Sequence, residues 1–234
     1  MKIGKTDIRE FHAKLLTVDF QPPATVVDVE MYEGALTPSE NDTDTPLSSL
    51  KIQVYFRGNT RDEIQGNVSN FVALLQKGVP LTLDGYRRKF MAYLTANTVG
   101  KTITRTRYTA DFEFVGYWFS DEVELHFDEV CEFSFDVEGN RETPCIISMT
   151  ALSYVEELKI TGFSDEITIS NINRGETVVI DGEQGTVMLD GKNKFLDVTL
   201  WEFPFLHVGE KKTQHIVISS DRMMVTIRYR PMWL

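Results

Sequence analysis

The strongest structural signal in this chain is a series of short apolar runs separated by turns: EITISNI (166–172), ETVVIDGEQGTVMLDGKNKFLDVTLWEFPFLHVGEKK (176–212) and QHIVISSDRMMVTIRYRPMWL (214–234). Asp181-Gly182 and Asp190-Gly191 each lie between β-branched runs, and both dipeptides tolerate the positive φ that two-residue hairpin turns require. These residues predict two tight hairpins within a small antiparallel β-sandwich.

The first half contains one clear helix signal. Thr60 and Glu63 have the spacing of a capping box, and the apolar residues that follow share one helical face. Gly78 can adopt a left-handed conformation after the last turn, and Pro80 prevents continuation. We therefore predict a helix over about 61–77. The residues on its apolar face are Ile64, Val68, Phe71, Val72 and Leu75.

The remaining segments of the first half alternate as strands do; in KIQVYF, for example, Ile52, Val54 and Phe56 alternate with longer polar or aromatic side chains. The predicted fold class is mostly β, with an α+β N-terminal domain and a C-terminal antiparallel, galectin-like β-sandwich. Breakers at Gly139, Asn140 and Pro144 place the domain boundary, so the predicted domains are 1–138 and 140–234. The polar segment 34–50 is too long for a hairpin connection and predicts a loop or an arm that orders on a neighbour.

Composition excludes several classes of protein. The chain has 234 residues, 42% hydrophobic and 25% charged, and a net charge of −11. Net charge is −6 over residues 1–135 (14 basic, 20 acidic) and −5 over 136–234 (10 basic, 15 acidic), so neither half has the basic excess of a nucleic-acid binder. No apolar run reaches the ~18 residues of a membrane span, and the start lacks a signal peptide's apolar region. We expect a soluble protein that folds in a reducing cytoplasm.

The order GEQGTVMLDG, DVTLWEFPFLHVGE and VTIRYRPMWL resembles the C-terminal, galectin-like domain of siphophage distal tail proteins. The first half resembles the ring-forming domain of that family in the layout of its strands, helix and aromatic-rich strand TADFEFVGYWF.

The resemblance implies a structural protein of a tailed phage or prophage, without catalytic activity, located at the tail tip of the virion and synthesised in the host cytoplasm. It implies a hexameric ring that joins the tail tube protein to a tail-associated or tail-tip protein. The outer sandwich would dock receptor-binding or baseplate proteins. A carbohydrate-binding β-sandwich module for host attachment is the alternative, and an enzyme acting on cell-wall glycans is a third.

The chain shows no motif for catalysis, a cofactor or a metal, and we predict no catalytic, cofactor-binding or metal-binding residues. The histidines are isolated in sequence, and DGEQG and DGKNK are explained by hairpin turn chemistry rather than by cation binding. Two thiols without CxxC spacing predict buried free cysteines rather than a disulfide or metal site. These residues are His12, His126, His207, His215, Cys131 and Cys145.

Two clusters remain open to more than one interpretation. The stretch 121–138 holds eight carboxylates in eighteen residues, and their alternation with apolar residues predicts the wet face of a strand. In a ring subunit the same face could line a channel and repel passing DNA, and paired carboxylates could also suggest glycoside hydrolysis. Trp201, Phe203 and Phe205 beside Pro204 predict core packing, with sugar stacking as the alternative. The carboxylates are Asp121, Glu122, Glu124, Asp128, Glu129, Glu132, Asp136 and Glu138.

Overall fold

A computed structural model of the chain describes residues 1–23, 26–30, 39–44, 47–99, 106–208 and 213–234. It contains two compact units, which we call the first unit (Met1–Phe119, with Leu234) and the second unit (Ser120–Trp233). These described residues are mostly β and antiparallel with one α-helix, which confirms the predicted fold class. No helix in the described ranges is long and apolar enough to cross a membrane.

The first unit is built on one antiparallel sheet. Its elements are β1 (Lys2–Ile3), β2 (Thr6–Asp7), a 3₁₀ helix (Ile8–Phe11), β3 (Ala13–Gln21), β4 (Val26–Glu30), β5 (Ser39–Asp44), β6 (Ser48–Arg57), α1 (Arg61–Ala73), β7 (Val79–Thr82), β8 (Lys89–Val99) and β9 (Arg107–Phe119). The sheet runs in the order β2-β1-β7-β8-β9-β6-β3, so β3 lies at an edge. Strands β4 and β5 pair with each other as a separate two-stranded hairpin.

Alternation along β6 directs its apolar residues into the core of the first unit. Ile52, Val54 and Phe56 are at most 1% exposed, as the sequence predicts. Helix α1 covers this face with Phe71, whose ring packs edge-on against Phe56 at 5.3 Å. Burying an aromatic side chain of this size removes ~150–250 Å² from water, so this contact fixes the helix on the sheet.

Helix α1 begins where the sequence predicts and ends earlier. The Thr60 side chain accepts a hydrogen bond from the Glu63 backbone N–H at 3.2 Å, while Glu63 accepts from Asn59 at 2.8 Å. The helix ends at Ala73 rather than at about 77. Gly78 does not adopt the predicted left-handed conformation. A Cβ at Gly78 would lie 2.4 Å from the Tyr93 ring, so close packing explains this glycine instead.

The predicted loop 34–50 is partly strand. Residues 39–44 form β5, and 48–50 begin β6; residues 34–38 and 45–46 lie outside the described part of the chain. The β4–β5 pairing contains a register shift between Asp28 and Val29. Within the described part of this segment, residues 39–44 are therefore one strand of a hairpin, because they pair with β4 through the backbone.

The second unit is a sandwich of two antiparallel sheets, in the orders β10-β21-β12-β15-β16-β17 and β11-β20-β13-β14-β18, with β19 paired to β12. Its elements are β10 (Val123–Asp128), β11 (Glu132–Asp136), β12 (Thr143–Ala151), β13 (Val155–Thr161), β14 (Ile167–Ile172), β15 (Thr177–Asp181), β16 (Thr186–Leu189), β17 (Lys192–Asn193), a 3₁₀ helix (Phe195–Asp197), β18 (Val198–Thr199), β19 (Phe205–Leu206), β20 (Thr213–Ile218), β21 (Met223–Tyr229) and β22 (Met232–Trp233).

The core of the sandwich forms from alternate residues of both sheets. Ile147 and Ile227 are cross-strand partners in one sheet, and Leu158 and Ile169 are partners in the other. All four are at most 1% exposed and belong to one apolar cluster. This is the arrangement that a period-2 pattern produces when two inner faces meet.

One of the two predicted hairpin turns is correct. Asp190 and Gly191 have φ of 45° and 78° and join paired Leu189 and Lys192, as a two-residue turn of the favoured hand requires. The other is wrong, because Asp181 pairs with Thr186 across a four-residue loop. There the Asp181 carboxylate accepts the backbone N–H groups of residues 183 and 184 at 2.8 and 2.9 Å. Hydrogen bonds from the backbone to an Asp side chain are typical of turns, and they explain why the sequence DGEQG occurs here.

The compact units do not divide at the predicted boundary. Strands β10 and β11 pair with β21 and β20, so residues 120–138 belong to the second unit. Gly139 and Asn140 lie in the link between β11 and β12, and Pro144 lies within β12, so all three breakers fall inside the second unit. Division after Phe119 changes the charge distribution: residues 1–119 carry 14 basic and 14 acidic residues, and residues 120–233 carry 10 basic and 21 acidic.

Candidate docking surface

The segment 194–203 of the second unit, which we call the 194–203 loop, connects the Asp190-Gly191 hairpin to β19. Its chain first forms the 3₁₀ helix Phe195–Asp197 and then the short strand β18, which pairs with β14. Val198 is 9% exposed and faces the core, so β18 anchors the loop on the sandwich.

Lys194 is a buried cation that holds the base of this loop. Its side chain is 6% exposed, and its Nζ donates to the backbone carbonyl of Asn171 at 2.9 Å and lies 3.5 Å from the Asp197 carboxylate. Its backbone N–H donates to the Val187 carbonyl at 3.1 Å. A buried ammonium is costly unless it is paired in this way, so these contacts fix the loop to β14 and β16.

The loop exposes three large apolar side chains. Leu196 is 100% exposed, Trp201 86% and Phe195 46%. The prediction that Trp201 packs in the core is therefore wrong. Phe203 and Phe205 are half-buried, and Phe203 packs against the core as predicted. Trp201 and Phe203 both lie in the link between β18 and β19, where no strand alternation fixes the direction of a side chain; Trp201 is exposed, and Phe203 packs on the core.

The acidic stretch lies on the wet face of β10 and β11, as its alternation predicts. Glu124 and Asp128 are exposed, while Leu125 and Phe127 are half-buried against the sandwich core. Three of its carboxylates have basic partners: Glu122 lies 3.5 Å from Arg230, Glu124 3.3 Å from His126 and Glu132 3.4 Å from His215. The other members are exposed along the same segment; they are Asp121, Glu129, Asp136 and Glu138. The stretch is part of the second unit rather than of the N-terminal domain to which the sequence assigned it.

In the structure a serine contacts a histidine, and the same histidine contacts a glutamate. Ser134 Oγ lies 2.9 Å from His215 Nδ1, and His215 Nε2 lies 3.4 Å from Glu132 Oε1. A serine beside a histidine is the pattern of an activated nucleophile, but catalysis also needs donors for the developing charge and a site that excludes water. Here His215 and Glu132 are 53% and 68% exposed on the edge strand β11 and its neighbour, and Ser134 and His215 are direct cross-strand partners. The contacts are those of a polar cross-strand ladder.

The other histidines occupy similar exposed positions. His126 Nδ1 lies 3.0 Å from Thr226 Oγ1, and His207 Nδ1 lies 3.1 Å from Glu142 Oε1. His12 ends the first 3₁₀ helix in a left-handed conformation with φ of 49°. No group of three or more His, Cys, Asp or Glu side chains within the described residues could hold a metal ion. The absence of catalytic, cofactor and metal residues stays a prediction.

The two cysteines differ in exposure. Cys145 is buried in β12, and burial raises the pKa of its thiol far above the usual range. Cys131 is exposed, so the prediction that both thiols are buried is wrong for this residue. Both are free, as predicted. Cys131 is exposed because it lies in the turn between β10 and β11 rather than within a strand.

The first unit has a shallow cleft of about 430 Å³ beside its N-terminus, lined by Met1, Lys2, Arg9, Lys14 and Asp84 among others. The Met1 ammonium lies 3.0 Å from the Asp84 carboxylate. Arg9 donates to both carboxylate oxygens of Asp7, at 3.0 and 2.8 Å, which lowers the pKa of that carboxyl. The Met1 ammonium, Asp84, Arg9 and Asp7 therefore neutralise one another in two ion pairs at the cleft.

Residues 138–233 match the family model of the siphovirus-type tail component, C-terminal domain. This chain carries a siphovirus tail-component domain. The match begins close to the predicted domain start at 140, whereas the compact unit begins at Ser120. A search of curated proteins finds no match.

Solved structures extend the similarity from this domain to the whole length of the chain. It superposes on the crystal structure of the Dit protein of phage SPP1, described as a paradigm of the hub adsorption apparatus in phages that infect Gram-positive bacteria. The TM-score is 0.77 at 12% identity, with 100% of this chain and 98% of that chain covered. Chains of the phage P2 baseplate in its activated conformation, with Ca and with Sr, match with a TM-score of 0.53 at 8% and 9% identity, covering 95% of this chain and 92% of theirs. At these identities the likeness shows the fold.

Proposed function

We propose that this chain is a structural distal tail, or baseplate hub, protein of a tailed phage or prophage, located in the virion tail. The observation that carries the proposal is the full-length fold match to a phage hub protein, together with the family match of residues 138–233. The exposed, paired histidines and carboxylates of the second unit fit a structural role better than an enzymatic one.

The first unit is the proposed ring-forming part, and its copies would close a hexamer. Two features support this assignment. Strand β3 leaves a nine-residue backbone edge at one side of the sheet. The β4–β5 hairpin pairs only with itself in the described part of the chain, and an isolated two-stranded hairpin is marginally stable in water. A hairpin that docks on the adjacent copy provides the heterologous contact that a closed ring requires.

The ring would join the tail tube protein to a tail-associated or tail-tip protein, and the second unit would dock receptor-binding or baseplate proteins. The channel-lining hypothesis for the acidic stretch loses its support, because that stretch belongs to the second unit and the proposed ring to the first. The proposal includes two domains that fold separately, with their boundary near residue 119 rather than 139.

Negative-stain electron microscopy of the purified full chain tests the ring. We expect closed particles with a central hole and six-fold symmetry. Immunogold labelling of tails from the producing bacterium tests the location, and we expect label at one end of the tail. Monomers in the micrographs and unlabelled tails would contradict the proposal.

Carbohydrate binding is a second candidate function, and one observation favours it: Trp201 is 86% exposed, as a sugar-stacking residue would be. His207, the nearest histidine in sequence, is occupied by Glu142 at 3.1 Å. A glycan-binding screen of the full chain, with Trp201→Ala as the control, separates the two functions. Binding that the variant loses would favour the sugar-binding alternative.

A further inference from the structure

We propose that the 194–203 loop is a preformed docking knob for a partner protein whose surface has an apolar pocket rimmed by basic residues. The inference rests on the proposed tail function and names the surface through which the second unit engages its partner.

The loop is held rigid before any partner arrives. Val198 anchors it in the core, and Lys194 pins it through the Asn171 carbonyl and the Asp197 carboxylate. The Phe195 N–H donates to the Asn193 side chain at 2.9 Å, and the Phe195 and Phe203 rings lie 6.3 Å apart. A segment ordered in this way loses little conformational entropy on binding, which is what a preorganised interface element requires.

The exposed side chains of the loop include Trp201, which is of a type that acts as a binding anchor. Single exposed apolar residues are normal on protein surfaces. Here Leu196 and Trp201 project from one short, anchored segment, 100% and 86% exposed, with Phe195 beside them at 46%. Tryptophan is enriched among the few residues that dominate interface energies, and such anchors fill desolvated pockets on the partner. Burial of this exposed apolar surface in such a pocket would stabilise the complex with the partner.

Charge selects the partner. Within the loop the one cation, Lys194, is buried and paired, while Asp197 and Glu202 are exposed. The whole unit carries 21 acidic and 10 basic residues. The second unit of another copy would bring the same negative charge to the contact and be repelled, whereas a basic rim would be attracted. A sugar would use Trp201 but leave the fully exposed aliphatic Leu196 unpaired, so a protein pocket fits the surface better.

Site-specific crosslinking in assembled tails tests the inference. A photo-crosslinking amino acid replaces Leu196, and the matched control places it at Met224, which is 44% exposed on β21 of the same unit. After irradiation of purified tails, mass spectrometry identifies the crosslinked peptide. We expect position 196, and not position 224, to join a different tail protein at a peptide with an excess of Lys and Arg.

The identified protein then serves as the ligand for the purified full chain. Trp201→Ala is expected to weaken binding at least ~30-fold, the factor that corresponds to a hot-spot loss of ~2 kcal/mol. Met224→Ala is expected to change binding less than about twofold, as energetically neutral positions do. Both substitutions are at exposed positions, so folding is retained.

Other outcomes overturn the inference. In the crosslinking experiment these are a crosslink from position 196 to a second copy of this chain, to an acidic peptide or to polysaccharide, or no crosslink at all. In the binding experiment it is a Trp201→Ala variant that binds the identified protein as tightly as the unchanged chain does. If the chain is found in tails and gives one of these results, the docking surface is wrong and the tail function stands. If mass spectrometry finds tails that lack the chain, the proposed function fails with it.

Discussion

The first unit is electrically balanced and the second is strongly acidic, with 14 basic and 14 acidic residues in 1–119 against 10 and 21 in 120–233. The contrast is hidden when the chain is divided near residue 139, because the acidic strands β10 and β11 are then counted with the first half. Copies of a balanced unit approach one another without long-range repulsion, whereas copies of the acidic unit repel. The difference supports the proposal that the first unit self-assembles and that the second recognises other proteins.

The two units also differ in how they end their sheets. In the described residues of the first unit, β3 lies at a sheet edge and β4 and β5 pair only with each other. The second packs two sheets around one continuous apolar core and projects the anchored 194–203 loop. Open backbone edges suit repeated pairing between identical copies, and a side-chain knob suits a different partner.

Within the second unit, core and surface aromatics should differ most. Phe133 is 8% exposed and stacks on Phe127 at 3.9 Å, so Phe133→Ala is expected to lower the free energy of unfolding by ~3–5 kcal/mol. Trp201→Ala is expected to change it by less than ~0.5 kcal/mol, the range for exposed positions. Urea denaturation of the full chain, followed by circular dichroism, measures both. A large loss of stability in Trp201→Ala would show that Trp201 packs in the core.

The first unit offers a matched pair of glycines. A Cβ at Gly116 in β9 would lie 1.7 Å from the Met91 carbonyl oxygen, so Gly116→Ala forces β8 and β9 apart. We expect a loss of ~1–3 kcal/mol, the cost of overpacking a well-packed interior. Gly66 in α1 has open space around it, and Gly66→Ala is expected to stabilise by ~0.5–1 kcal/mol through helix propensity. Thermal unfolding ranks the two variants; a neutral Gly116→Ala would contradict the strand packing described for β8 and β9.

Salt should affect the two units unequally. Screening relieves repulsion among the excess carboxylates of the second unit, so its free energy of unfolding is expected to rise by about 1 kcal/mol between low and high salt. The balanced first unit should change little. Hydrogen exchange at two sodium chloride concentrations reports on each unit separately. An equal response from both would remove the electrostatic contrast.

Cysteine reactivity gives the smallest but cleanest contrast, between two positions of the same unit. Burial raises the pKa of the Cys145 thiol, so it holds almost no thiolate at neutral pH, whereas Cys131 is exposed. We expect iodoacetamide to modify one thiol per native chain and two after denaturation. Peptide mapping assigns the sites, and rapid labelling of native Cys145 would show that β12 opens.

Local signals predicted much of this fold. The N-cap at Thr60, the alternation in β6 and the positive-φ pair Asp190-Gly191 depend on residues close in sequence, and each forms as predicted. The domain boundary depends on pairing between distant segments, such as Val123 with Tyr229, which no local pattern reveals.

The exposed side chains of the 194–203 loop are harder to predict from the sequence than the fold. An aromatic beside a proline suggests core packing, and Phe203 follows that rule. Trp201 lies in the non-strand link after β18, where neither period 2 nor helical periodicity determines the direction of a side chain. The buried Lys194 was equally hidden, because its partner Asn171 comes from a strand 23 residues earlier.

Light scattering coupled to size-exclusion chromatography tests most directly whether the first unit assembles the protein. Three samples suffice: the full chain, a variant in which a short Gly/Ser linker replaces residues 26–44, and the fragment 120–234. We expect the full chain at six times 26.8 kDa and the other two as monomers, because one lacks the hairpin and the other the first unit. A variant that remains hexameric without the hairpin, or a fragment 120–234 that self-associates, would contradict the assignment.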